Sequence, residues 1–155
     1  ESAQKAAQIV LGLFKRQGYQ ENYVNGNFDD YVSIGMGKTP MAFIYENQIV
    51  AHALAKKGMG PDMVLLYPQP TLFNKWVFVA MNDTSKKLGE LLGAHRELQR
   101  LAVDHGFRIA ESAYFVQTAA SVGLAVDERL TQVIDPPSYE MMGEMIDLIT
   151  REMAQ

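Results

Sequence analysis

PMAFIYENQ, residues 40–48, changes character partway along: Met41 to Ile44 are apolar or small, and Tyr45, Glu46 and Asn47 follow. A short apolar run of this kind suits a buried strand over 41–45. Residues 47–57 then place Ile49, Val50, Ala53 and Leu54 on one helical face, with Gly58 beyond as a stop. In strand-then-helix order, Tyr45-Glu46 stands at the carboxyl end of a strand. In α/β sheets ligands sit there, beside the free N–H groups of a helix start. Two readings of Glu46 stay open at this point. It contacts a ligand, or it begins the helix, where the dipole stabilises a carboxylate.

The same pattern repeats outward from this stretch. Residues 3–17 put Ala6, Ile9, Val10, Leu13 and Phe14 at helical spacing, with Ser2 as a candidate N-cap and Gly18 as a C-terminal stop. Residues 19–27 read as a loop, and a short helix follows through Asp29, Asp30, Tyr31 and Ile34 to the Gly35/Gly37 pair. Met63–Tyr67 and Trp76–Met81 are further strand candidates, although Pro68 and Pro70 rule out one uninterrupted central strand. Residues 84–105 predict two helices or one bent one, ended by Gly106. Helical character is expected over Tyr114–Leu124, and Asp135-Pro136-Pro137 predicts the start of a final helix carrying Met141, Met142, Met145, Ile146 and Ile149. Strands separated by helices predict an α/β fold, a three-layer lobe with a mostly parallel sheet flanked by helices.

At 155 residues and 48% hydrophobic, the chain can bury one core and is too short for two ordinary domains. The net charge of −4 argues against a general nucleic-acid surface, which needs a basic stripe. The pairs Lys15-Arg16, Lys56-Lys57 and Lys86-Lys87 read as solvated helix ends or faces. Absence of cysteine excludes disulfides and thiolate metal sites without fixing a compartment. No segment approaches the roughly 18 apolar residues of a membrane span, and the first residues do not resemble a signal peptide. The abrupt start at Glu1-Ser2 reads as a trimmed fragment, so location is not taken from it.

Motifs for chemistry are sparse. GMGKT, residues 35–39, resembles the tail of a phosphate-binding loop, but Val32 stands where that pattern needs glycine, so it reads as a turn. His52, His95 and His105 lack ligand spacing, and no metal or cofactor is expected. Asp29-Asp30 reads as favourable charge at a helix start rather than as a catalytic pair. Met141, Met142, Met145 and Met153 form a packing stripe. No nucleophile–base set assembles, so no catalytic residue is expected and the chain does not read as an enzyme.

Taken in order, GKTPMAFIYENQ (37–48), DMVLLYPQPTLFNKWVFVAMN (62–82) and KKLGELLGAHRELQRLAVDHGFR (86–108) resemble the second half of a bacterial extracellular solute-binding protein. The likeness is to the type II periplasmic-binding fold, in its molybdate- and sulfate-like branch. Gly37, Pro40 and Tyr45 fall at the family's spacing, as do Tyr67-Pro68 and Gly106-Phe107, and VIDPPSYEMMGEMIDLI (133–149) resembles its closing helix. Glu46-Asn47 departs from the family's small-residue-then-Asp pattern, and the family's first lobe lies outside this chain.

The resemblance implies a second lobe over residues 1–106. Residues 107–155 would be a helical return segment packing on that lobe or on the first one. It implies a ligand site of Ser2, Asn27, Phe28, Tyr45 and Glu46. Tyr45 would offer its hydroxyl; backbone N–H groups near Asn27-Phe28 and Ser2 would meet a small polar or anionic solute. The implied partners are that solute and a membrane ABC permease, with room for a homo-oligomer of the isolated lobe. The implied location is periplasmic or extracellular, with lipid anchoring as an option for a full-length protein. Two other expectations stand beside it: the effector-sensing domain of a LysR-type regulator, and a small α/β enzyme without a familiar motif.

Overall fold

A computed structural model of the chain describes residues 2–17, 24–35, 39–56 and 58–154. Among the described residues seven helices run in order: α1 (Ser2–Gln17), α2 (Val24–Ser33), α3 (Glu46–Lys56), α4 (Asp83–Ala94), α5 (Arg96–Asp104), α6 (Ser112–Ala120) and α7 (Tyr139–Met153). Among the described residues there is no strand and no sheet. The one β-type contact is an isolated parallel bridge between Thr71 and Val133. The expected three-layer α/β lobe with a parallel sheet is therefore wrong for this chain. With it go the periplasmic-binding fold and the support that the likeness lent to a role in transport.

The physical reason lies in what alternation reports. Residues 41–45 and 63–67 belong to no helix or strand, and their burial alternates with a period of two. Ala42, Ile44, Met63, Leu65 and Tyr67 are half-buried, while Met41, Phe43, Val64 and Leu66 stay exposed. Such a pattern says that one side of the segment is covered; it does not say that a neighbouring strand covers it. Here helices do the covering, since Ile44 and Leu65 pack against the helical core. Trp76–Met81 departs further, because its side chains are exposed on both faces.

Helix ends follow local chemistry. Asn82 and Ser85 make a reciprocal capping box at α4: the Ser85 N–H donates to Asn82 Oδ1 at 2.8 Å, and the Asn82 N–H donates to Ser85 Oγ at 3.0 Å. Ser138, not Asp135, caps α7, accepting from the Met141 N–H at 3.3 Å. The Asp-Pro-Pro signal therefore precedes the helix by three residues more than expected. Val24 opens α2, so Asn25–Asn27 are helical rather than loop, and Asp29-Asp30 lie past its first turn. Gly18 and residues 19–23, the Gly37 turn and Lys57 fall outside the described residues.

The core forms where α2, α3, α5 and α6 meet. Phe28, Ile49, Val50, Ala53, Val103, Phe115, Ala119 and Leu124 are buried in one cluster, so residues on both sides of position 106 share it. On α3 the buried face is the one its periodicity predicts. Helix α1 packs on α7 instead. Its covered stripe is Ala3, Ala7 and Leu11, and Ile9 and Leu13, expected inside, are exposed. Small residues at i and i+4 let two helices approach closely, so the alanine stripe takes the contact.

The molecule as a whole exposes 11986 Å². A compact monomer of its mass exposes about 7,800 Å². Many large apolar side chains are left uncovered, among them Phe43 at 85%, Trp76 at 81% and Val77 at 80% exposure.

Candidate functional site

Among the described residues a dense polar constellation gathers on Glu46, and the route to it begins at the end of α5. Gly106 ends that helix with φ of +82°, its N–H donating to the Val103 carbonyl at 2.8 Å and the Phe107 N–H to the Ala102 carbonyl at 2.9 Å. These two bonds close a Schellman motif, in which a left-handed residue after the helix leaves glycine as the low-strain choice. The turn presses against the first turn of α3. A Cβ at Gly106 would lie 2.3 Å from the Asn47 carbonyl oxygen. Two residues later, Arg108 reaches the residue that opens α3.

Arg108 Nε donates to Glu46 Oε2 at 2.6 Å, and Nη2 donates to Glu46 Oε1 at 2.7 Å, a bidentate pair. The guanidinium also donates to the Asp127 carbonyl at 2.6 Å and the Glu128 carbonyl at 3.1 Å. Its flat face lies over the buried Phe115 ring, 4.9 Å from the centroid. Tyr67 completes the group by donating its hydroxyl to Glu46 Oε1. One ion pair thus ties together the start of α3, the extended segment 63–67, the chain after α5 and the loop after α6. Both charged side chains are largely covered, with exposures of 23% for Arg108 and 20% for Glu46.

Protonation follows from this packing. Burial first, then the hydrogen bond and charge of Glu46, push the Tyr67 hydroxyl well above its ordinary value of 10.0, while Arg108 pulls the other way. Burial works against the Arg108 charge, but Glu46 and Tyr67 outweigh it and raise the guanidinium further. Because the folded tyrosine holds its proton longer than the unfolded one, its contribution to stability is complete below pH 10 and lost as pH rises above it. In an alkaline titration followed at 295 nm, wild type and Tyr67→Phe are expected to diverge only in the step that accompanies unfolding. Divergence near pH 10 with the fold intact would contradict this placement.

The five residues expected to hold a ligand are distributed as follows. Ser2 is the first residue of α1, the helix that packs on α7. Asn27 and Phe28 lie inside α2 as its fourth and fifth residues, and the Phe28 side chain is buried, edge-on to His52 with centroids 5.5 Å apart. Tyr45 is half-exposed, and its own N–H donates to Gln48 Oε1 at 2.9 Å. Glu46 is neither a bare helix cap nor an open ligand contact. Its carboxylate is taken by Arg108 and Tyr67.

Other sequence candidates also have structural occupations. Thr39, at the end of GMGKT, folds back on α2, its N–H donating to the Gly35 carbonyl at 2.9 Å and its hydroxyl to the Asp30 carbonyl at 3.0 Å. Met36, Gly37 and Lys38 of that motif lie outside the described residues. Among the described residues no three His, Asp or Glu side chains group as a metal site would need. Arg108 belongs to no recognisable sequence motif. A signal was present, because a single arginine between Phe107 and Ile109, just past a helix-ending glycine, must find a partner if that stretch is covered.

Comparison with protein-family models, with curated proteins and with solved structures returns no match in any of the three.

Proposed function

We propose that this chain is a binding module that acts by docking another polypeptide on its extended apolar segments and performs no chemistry of its own. The observation that carries the reading is the uncovered surface of residues 72–81, in which Trp76, Val77, Val79 and Met81 are each about two-thirds or more exposed. Exposed apolar surface on this scale marks an interaction site. The charged constellation supports the reading from the other side. Arg108 and Glu46 are spent on holding the core together, which leaves them to position segments rather than to act on a substrate.

Hydrogen exchange read by mass spectrometry tests this. At nanomolar dilution the amides of residues 72–80 are expected to exchange far faster than those of α3 and α6. Protection equal to those helices at every dilution would contradict the reading, because the chain would then be covering the segment itself.

A second reading keeps the small polar or anionic solute, without the transport role. The half-exposed Tyr45 ring, at the residue before α3, favours it. A thermal-shift panel of oxyanions, sugars and amines on wild type and Tyr45→Phe decides it. A shift lost in the variant supports the solute, and a blank panel removes it.

A further inference from the structure

We infer that Pro136-Pro137-Ser138-Tyr139 is a docking peptide for a polyproline-reading domain of the WW class, with an aromatic groove and a basic rim. This surface is separate from residues 72–81, and the inference stands apart from the reading of that segment. Asp135-Pro136-Pro137 predicts the start of the last helix, yet α7 begins at Tyr139 under the Ser138 cap. The proline pair is therefore left outside the helix, and residues 131–140 are all exposed.

Backbone chemistry sets the shape of the peptide. A proline holds its own φ at about −65°, and it drives the residue before it to extended or polyproline II backbone. Asp135 and Pro136 each precede a proline. Ser138 has φ of −59° and ψ of 158°, which are polyproline II values. Such a run turns once in three residues, so Pro136 and Tyr139 come out on one side, about 9 Å apart. Both ends are tied down. The Ile134 N–H donates to the Thr71 carbonyl at 3.0 Å; the Met142 N–H donates to the Ser138 carbonyl at 2.9 Å and the Met141 N–H to its hydroxyl at 3.3 Å. A peptide already held in its binding shape loses less freedom on docking.

The same residues select the partner. Pro136 and Pro137 carry no N–H, so a partner that adds a strand would find two donors missing. Their rings offer flat apolar faces, and the Tyr139 ring beside them is 90% exposed. A slot between aromatic rings takes such prolines, and a neighbouring pocket takes the tyrosine. Pro-x-x-Pro, the spacing that SH3 domains read, does not occur in 130–144. Charge narrows the choice further. Asp135, Glu140 and Glu144 are the charged residues of 130–144, with no lysine or arginine among them, which favours a basic rim.

Calorimetric titration of the 155-residue chain with a panel of isolated WW domains is the test. Saturable one-to-one binding that salt weakens is expected. Tyr139→Ala, and separately Pro136→Ala with Pro137→Ala, should each weaken it about tenfold or more. Helical circular dichroism should not change, because these side chains are exposed and the Ser138 cap stays. On the wild-type chain, a bound domain should slow hydrogen exchange within 131–142 and leave 72–80 as it was, a readout that needs no variant. A blank panel overturns the inference, and so does binding that ignores both variants. Protection at 72–80 instead, or binding by SH3 domains where WW domains fail, overturns it as well.

Discussion

Replacing Arg108 by alanine is expected to lower the stability of the fold by about 3 kcal/mol, read as a shift of the urea midpoint. The figure follows from what the guanidinium holds. It makes two charge-assisted bonds to Glu46, two more to the carbonyls of Asp127 and Glu128, and covers the Phe115 ring. A surface pair would be worth a few tenths of a kcal/mol to about 1, but both side chains here are less than a quarter exposed. Removal leaves the Glu46 carboxylate largely covered with Tyr67 as its remaining described hydrogen-bond donor, and an uncompensated covered charge is the expensive outcome. Glu46→Gln with Arg108→Met should therefore cost less than the sum of its parts, by about 1 kcal/mol or more. Strict additivity, or an Arg108→Ala cost below about 0.5 kcal/mol, would mean that the clamp is ornamental.

The second large effect is expected at Gly106. An alanine there meets two penalties at once. Its φ of +82° lies in the left-handed region, which costs a non-glycine residue about 1 kcal/mol. Its Cβ would also stand 2.3 Å from the Asn47 carbonyl oxygen and 2.8 Å from the Asn47 Cα, which are backbone atoms that yield only if α3 moves. Moving α3 pulls Glu46 away from Arg108. A total loss of about 3 kcal/mol or more is expected. Gly123 supplies the control: its φ is +79°, and a Cβ there meets nothing within 4 Å. Gly123→Ala should cost only the conformational part, about 1 kcal/mol. Equal effects at the two glycines would show that the close approach to Asn47 does not matter.

What the sequence made legible was local. The helical face of Ile49, Val50, Ala53 and Leu54, the pair of helices before Gly106, and the closing helix all follow from a 3.6-residue period and its stop signals. Segments 41–45, 63–67 and 76–81 read as strands from their apolar runs, and none of them is a strand in the structure. Period two records which side of a segment is covered, and the identity of the cover is a tertiary fact. The face of α1 was misjudged for a related reason, because the partner α7 accepts the alanine stripe and leaves Ile9 and Leu13 out. Glu46 was visible as a residue with two possible roles. Its actual role depends on Arg108, 62 residues away in the chain, and no local pattern joins residues at that separation. Tyr67 was noted for its Tyr-Pro spacing, while its hydroxyl bond to the same carboxylate is again long-range.

The central claim is that the segment around Trp76 is an open docking surface. Trp76 is the only tryptophan in the chain, so its fluorescence reports that segment alone. Acrylamide quenching of the 155-residue chain at nanomolar dilution is the direct measurement. Emission and quenching close to those of free indole in water are expected, as the 81% exposure of Trp76 requires. Blue-shifted, shielded emission at every dilution would contradict it.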